Sequence, residues 1–356
     1  MALVGTINAP NDFGMKNRII NGAMAIDQRN AGASTTPGAS FSYQLDRWSY
    51  GTSVASKISV QQVADAPAGF YNSVKLTSLS AYSITASNRF IFSQIIEGYN
   101  TVDLNWGTSD ASPVTLSFWV KSSLTGTFAC SFNNYDGSRS YVTTYTISSA
   151  NTWEKKIITI TGPTSGSFQT GTNGGSIYIN FDLGTGSTYT TSTLNTWQNA
   201  FYENATGATA LPATNGATWQ LTGVQFEKGS TATSFDFRSF GTELSLCQRY
   251  FEKSFNHDVR PQNGADGTSF YANAGLFAGY ISNTFPWGGS MNFKQTKRAQ
   301  PTIGGYGNSS GYGYGGGWGP SAIAPSGIGW NGICWSQQNI GGSAVSAWHW
   351  TAEAEL

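Results

Sequence analysis

Short runs of alternating apolar and polar residues recur through the first two thirds of this chain. They fall at Ser73–Thr77, Phe90–Ile96, Val114–Val120, Phe128–Phe132, Tyr141–Ile147, Trp153–Ile160, Ser176–Phe181 and Thr218–Phe226. A period of two sends successive side chains to opposite faces of an extended strand. Repeated about every ten to twenty residues between turn formers, it predicts a two-sheet sandwich. Composition agrees: only 11% of the 356 residues are charged, well under the roughly 25% of ordinary soluble chains. Ser, Thr, Asn and Gly carry solubility instead, while Thr, Tyr, Phe and Trp suit a pleated, half-buried surface. The class is all-β.

Charge and cysteine content narrow the function classes. Nineteen basic and nineteen acidic residues balance to zero, which leaves no electrostatic footprint for neutralising a row of phosphates, so no nucleic-acid partner is expected. The opening MALVGTI lacks the basic and apolar regions of a secretion signal, and no run approaches the roughly 18 apolar residues that cross a bilayer. Neither export nor membrane insertion is expected. Cys130, Cys247 and Cys334 are odd in number and far apart, matching no disulfide framework or CxxC metal pair; they read as buried thiols of a chain made in a reducing cytoplasm.

Along the chain, residues 1–15 hold Asn, Pro, Asp and Gly without periodicity and read as an N-terminal arm for docking. A strand is expected around Ile19–Ile26, broken at Asn21-Gly22, and Trp48 opens the next. One helix is expected over Thr242–Lys253, with Thr242 as N-cap, Glu243 in the first turn and Leu244, Cys247, Tyr250 and Phe251 on one face. It marks a junction. Strands follow near Thr268–Phe277 and Gly289–Phe293, and then the tract GGYGNSSGYGYGGGWG at 304–319. Five of the twelve tryptophans lie beyond residue 317, and no Lys or Arg follows Arg298. Aromatic content of that order argues for a folded region rather than a linker.

Catalytic signatures are missing. His257 and His349 are the only histidines and have no metal-ligand spacing; there is no GxSxG elbow, and the glycine tract lacks the strand and helix that frame a phosphate loop. No metal and no cofactor are expected. Paired acids for glycoside cleavage could be drawn from Asp136, Asp182, Glu154 and Glu97, but any chain with nineteen acids offers such pairs. The glycines instead let backbones approach closely while Tyr306, Tyr312, Tyr314 and Trp318 project between them, with Trp330 and Trp335 beyond. Such rings fit sugar faces flanked by Asn and Ser, and they fit equally a packed core or a trimer interface.

Three stretches carry a family resemblance. The first is NRIINGAMAIDQR at 17–29 with LDRW at 45–48; the second is VQFEKGSTATSFDFR at 224–238 with LCQRYFEKS at 246–254; the third is KRAQPT at 297–302 with the terminal WTAEAEL. Together they resemble tailed-phage tail-fibre and virion structural proteins, in which a carbohydrate-binding-module-like jelly roll precedes a small C-terminal β-domain. The resemblance implies a jelly roll over 16–238 and a C-terminal β-domain over 239–356 that begins with the short helix. It implies that Asp27, Arg29, Asp46, Arg47 and Trp48 form an ion-paired closure of the sandwich. It further implies a non-enzymatic tail-fibre subunit of the virion, homotrimeric, made in the host cytoplasm, bound to other tail or virion proteins and to a host-surface glycan. The alternatives are a purely structural virion component, such as a head decoration or baseplate protein, and a polysaccharide depolymerase.

Overall fold

The computed structural model describes residues 15–262, 277–281, 287–306, 325–337 and 344–356, and within them the protein is nearly all β. The first part of the chain supplies β1 (Phe41–Leu45), β2 (Trp48–Thr52), β3 (Ile58–Val63), β4 (Ser73–Ser78), β5 (Phe90–Glu97), β6 (Val114–Ser122) and β7 (Gly126–Asn134). There follow β8 (Ser140–Ile147), β9 (Glu154–Ile160), β10 (Gly175–Asp182), the short pieces β11 (Thr190–Thr191), β12 (Trp197–Gln198) and β13 (Asn204–Ala205), and then β14 (Thr218–Lys228). Two sheets result, in the orders β1-β2-β5-β10-β7-β8-β12 and β3-β4-β14-β6-β9. All pairings within these two sheets are antiparallel. This is the jelly-roll sandwich, and every alternating run named above is one of its strands.

Alternation explains how the sandwich closes. Phe90, Phe92 and Ile96 of β5, Ile177, Ile179 and Phe181 of β10, and Phe128, Cys130 and Phe132 of β7 point inward against Leu116, Phe118 and Val120 of β6 and Trp219, Leu221 and Phe226 of β14. Trp48 lies fully buried and stacks on Phe92, with ring centroids 5.2 Å apart and planes 3° from parallel. Its indole N–H donates to the Asn21 carbonyl. Aromatic side chains of this size each bury about 150–250 Å², so they dominate the hydrophobic stabilisation of the core.

The expected strand at Ile19–Ile26 does not form. Asn21 and Met24 both adopt left-handed backbone angles, at φ 59° and 52°, which a strand cannot contain. The segment instead plugs the end of the sandwich: Arg18 N–H donates to Phe226 O, Val224 N–H to Gly22 O, and Ile20 N–H to the Gln94 side chain. Gly22 is required there, because a Cβ would stand 2.2 Å from Val224 O.

The helix is shorter and earlier than expected. It is α1 (Phe240–Gln248), capped by Ser239, whose hydroxyl accepts from Thr242 N–H at 3.3 Å. Ser239 therefore takes the capping role that the sequence assigned to Thr242. Beyond it the chain becomes β15 (Phe251–Lys253), followed by β16 (Phe277–Ile281), β17 (Trp287–Asn292), β18 (Thr302–Tyr306), β19 (Pro325–Ile328), β20 (Gly332–Gln337) and β21 (Ala344–Glu353). The long β21 pairs with β15, β16 and β18, while β17, β20 and β19 form a separate sheet. Phe293, Ile333, Trp350 and Ala352 make the small core between them. Most of the strand expected at Thr268–Phe277 lies outside the described residues.

Cys130 and Cys247 are buried as expected, but Cys334 is exposed. It sits on β20, the central strand of the three-stranded sheet.

Candidate functional site

The outer face of the seven-stranded sheet is polar in an ordered way. Ser49, Ser93, Asn180 and Ser131 stand opposite one another on β2, β5, β10 and β7. The two serine hydroxyls lie 3.1 Å apart, and the Asn180 amide donates to Ser131 Oγ at 3.2 Å and to Asn133 Oδ1 at 2.7 Å. Each strand that feeds apolar residues to the core thus presents hydrogen-bonding groups on its reverse. A cleft of about 760 Å³ opens above Ser93 and Asn180, within the range of roughly 300–1,000 Å³ typical of small-ligand sites.

Aromatic rings form its walls, and three of them lie against glycines. A Cβ on Gly51 would stand 3.0 Å from the Phe41 ring, one on Gly175 would stand 2.3 Å from Tyr135, and one on Gly137 would stand 3.2 Å from Phe201. Where a glycine replaces a side chain, the neighbouring ring can lie close to the backbone and turn a face outward. Tyr135 also stacks on Tyr178 at 5.6 Å and 7°. Phe41 and Tyr135 remain 46% and 37% exposed. Leu356, whose carbonyl accepts from Tyr43 OH at 2.8 Å, completes the lining on the side of the C-terminal domain.

Three charged side chains line the cleft: Arg89, Asp136 and Glu203. Glu203 is buried and takes Arg89 Nε at 2.6 Å on one oxygen and Arg89 Nη2 on the other. Burial pushes the Glu203 carboxyl up against the opposing pull of Arg89. Asp136 lies at the cleft's open side, where hydrogen bonds from Ser138 hold its carboxyl below the usual range. The other acids weighed from sequence are engaged elsewhere. Glu97 accepts from Arg249 and Tyr250, and Glu154 accepts from Lys156 and from the N–H groups of Ser148 and Ser149. Asp182 is buried, with its carboxyl raised to about 8 by desolvation.

Of the aromatics singled out in the glycine-rich region, Tyr306 ends β18 and packs edge-on against Phe255 at 5.6 Å. Trp330 is 53% exposed in the turn between β19 and β20, and Trp335 stands on β20 opposite Gly289 and Pro325. Tyr306 lies on the sheet built around β21 and Trp330 in a turn of the other sheet, and Tyr312, Tyr314 and Trp318 lie outside the described residues. The five residues of the implied closure take partners elsewhere in the chain. Trp48 is core, Asp27 accepts from the N–H groups of Asn30 and Gly32, and Asp46 accepts from Gln28. Burial lifts the Asp46 carboxyl to about 6. Arg29 and Arg47 pair with Glu355, and Arg29 also with Glu353, so the closure ties the sandwich to the end of the chain.

Sequence reading missed the cleft because its rings come from residues 41, 135, 178 and 201, two on strands and two on loops, brought together only by the fold. A signal was nonetheless present in β10, where Ile177, Ile179 and Phe181 alternate with Tyr178, Asn180 and Asp182. That second face is polar and aromatic, as a ligand-facing sheet is.

No protein-family model matches the chain, and no curated protein does. Among solved structures it is similar to the enzymatically active domain of tailspike protein 4 of bacteriophage CBA120, at 16% identity and a TM-score of 0.31, over 60% of this chain and 21% of that one. It is also similar to a family 11 carbohydrate-binding module from Clostridium thermocellum in complex with a mixed-linked tetrasaccharide, at 10% and 0.29, over 56% and 98%. A third is the xylanase 10B of Clostridium thermocellum, crystallised as its CBM22-1 and GH10 modules with xylohexaose, at 11% and 0.28, over 62% and 32%.

Proposed function

We propose that this protein is a glycan-binding, non-enzymatic subunit of a phage virion, a tail fibre that holds a host-surface saccharide in the cleft of its jelly roll. The observation that carries the reading is the pairing of Phe41, Tyr135 and Phe201 with glycines above a floor of Ser93 and Asn180. Sugar rings offer C–H faces to aromatic surfaces and hydroxyls to amide and hydroxyl partners, and this cleft provides both. The carboxylates support binding rather than hydrolysis. Both Glu203 oxygens are committed to Arg89, and Asp136 is held ionised at a solvent-facing position, so neither is set up to give a proton to a leaving group.

Pull-down with intact host cells, before and after stripping of surface polysaccharide, tests the reading. Binding is expected to vanish with the polysaccharide. In the variants Phe41→Ala and Phe201→Ala it should weaken by about 1–3 kcal/mol each, or roughly 5- to 150-fold, with the melting temperature nearly unchanged. Binding that survives both the stripping and the substitutions would refute it.

One observation favours a second reading, an assembly role alone. Phe70, Phe235 and Phe237 cluster with centroids 4.8–5.3 Å apart, and Tyr71, Phe237 and Phe240 are 80%, 63% and 51% exposed beside them. Exposed aromatic patches of this kind mark contact surfaces. Under that reading Phe237→Ser alters the protein's mass in solution or its incorporation into particles, while cell binding is absent throughout.

A further inference from the structure

We propose that the cleft selects neutral oligosaccharides over acidic ones and that Arg89 sets this selectivity through the N–H groups of Nη1, an inference that rests on the glycan-binding reading above. Arg89 is fixed before any ligand arrives. Glu203 takes its Nε and Nη2, and its guanidinium lies 5.3 Å from the ring centroids of both Tyr189 and Phe201. Nη1 donates to nothing among the described residues, although the side chain is 38% exposed and lines the cleft. A planar donor whose rotamer is already set loses little further entropy on binding, so it suits an oxygen presented at a fixed angle.

Charge decides which oxygen. The cleft's lining carries one cation and two carboxylates, Arg89 against Glu203 and Asp136. Glu203 neutralises the guanidinium at contact distance, and Asp136 remains ionised. A uronate, sialate or sulfate therefore meets a site that is negative on balance, and it must compete with Glu203 for the one cation. Sugar hydroxyls incur no such repulsion and still accept from Nη1. Arg89 thus acts as a specificity-determining donor, and Glu203 holds it in place and masks its charge.

The test is titration calorimetry of the full chain with two sets of fragments matched in length, neutral hexose oligosaccharides and uronic-acid oligosaccharides. Wild-type protein is expected to bind a neutral fragment at least tenfold more tightly than any acidic one. Arg89→Lys should lose tenfold or more on the neutral fragment, because lysine has no planar fork. Asp136→Asn, at an exposed position that leaves the fold alone, should narrow the preference by raising affinity for the acidic set. Thermal melts of both variants accompany the titrations. Tighter binding of acidic fragments by the wild type, or a well-folded Arg89→Lys that binds as the wild type does, would overturn the selectivity while leaving glycan binding intact. Failure of the wild type to bind any fragment or the host polysaccharide would overturn the underlying reading and the selectivity with it.

Discussion

Glu355→Ala is expected to lower the unfolding free energy by about 3–5 kcal/mol, the cost of leaving one partner of a buried ion pair uncompensated. Arg47 is the reason. Its side chain is 1% exposed, Nη2 donates to Ile95 O at 2.5 Å, the guanidinium sits 3.6 Å from the centroid of the Tyr250 ring, and Nη1 meets Glu355. Arg29 approaches the same carboxylate at 3.0 Å. Without Glu355, Arg47 loses the carboxylate it pairs with, and Arg29 keeps its ion pair with the half-exposed Glu353. Urea denaturation of Glu355→Ala and of the double variant Arg47→Met/Glu355→Leu separates attraction from burial. The double variant should recover much of the loss, since well-packed apolar groups commonly replace a buried pair without cost. Equal losses in the two proteins would contradict this account.

The second large effect is a dependence on pH. Asp182 Oδ1 accepts from the N–H groups of Gly184 and Thr185, but Oδ2 is buried without a partner, and Glu203 adds its charge nearby. Desolvation raises the carboxyl from 3.8 to about 8. The folded state therefore keeps a proton that the unfolded state has released, and stability falls as pH rises from the unfolded value to about 8, where the effect levels off. Asp46, raised to about 6, contributes a slope of the same sign at lower pH. Lys253, lowered to about 8 by burial, acts above that point and with the opposite sign, since a base neutral in the fold gains stability as the medium takes up its proton. Between pH 6 and 8 Asp182 thus contributes a loss of up to about 1.4 kcal/mol per unit, and the raised Glu203 carboxyl beside it acts with the same sign. Asp182→Asn should flatten that segment in denaturation curves at pH 6, 7 and 8. A slope retained in the variant would assign it to another group.

What sequence made legible follows from what alternation can encode. Val114–Ser122 and Thr218–Lys228 pair with each other in the five-stranded sheet, and their apolar residues sit on the core side as the pattern requires. Phe41–Leu45 escaped notice because it lies at an edge and pairs through an irregular register with β2. Ile19–Ile26 misled because Ile19, Ile20, Met24 and Ile26 are all buried, yet they are buried by a looped plug held through asparagine side chains. Burial alone does not make a strand. The helix cap was misplaced by three residues because Ser239 and Thr242 are both good caps, and the choice fell to the one whose hydroxyl could face the first open N–H. The cleft was invisible for a different reason: its rings lie against glycines distant in sequence or in a turn, a relation that appears only once the chain is folded.

The carboxylate knot at Glu355 also bears on how tension passes through the molecule. A pull on the C-terminal domain travels along β21, and one residue past that strand's last ladder partner, Glu353, lies Ala354, whose N–H is held by Tyr250 O. Glu355 comes next, gripped by two guanidiniums rooted in the sandwich. The three side chains are nearly closed to water, so the joint between the last strand and the sandwich is an ionic one made inside the protein. Because Leu356 is the neighbouring residue and a wall of the cleft, the position of that wall is set by the same joint that fastens the end of β21 to the sandwich.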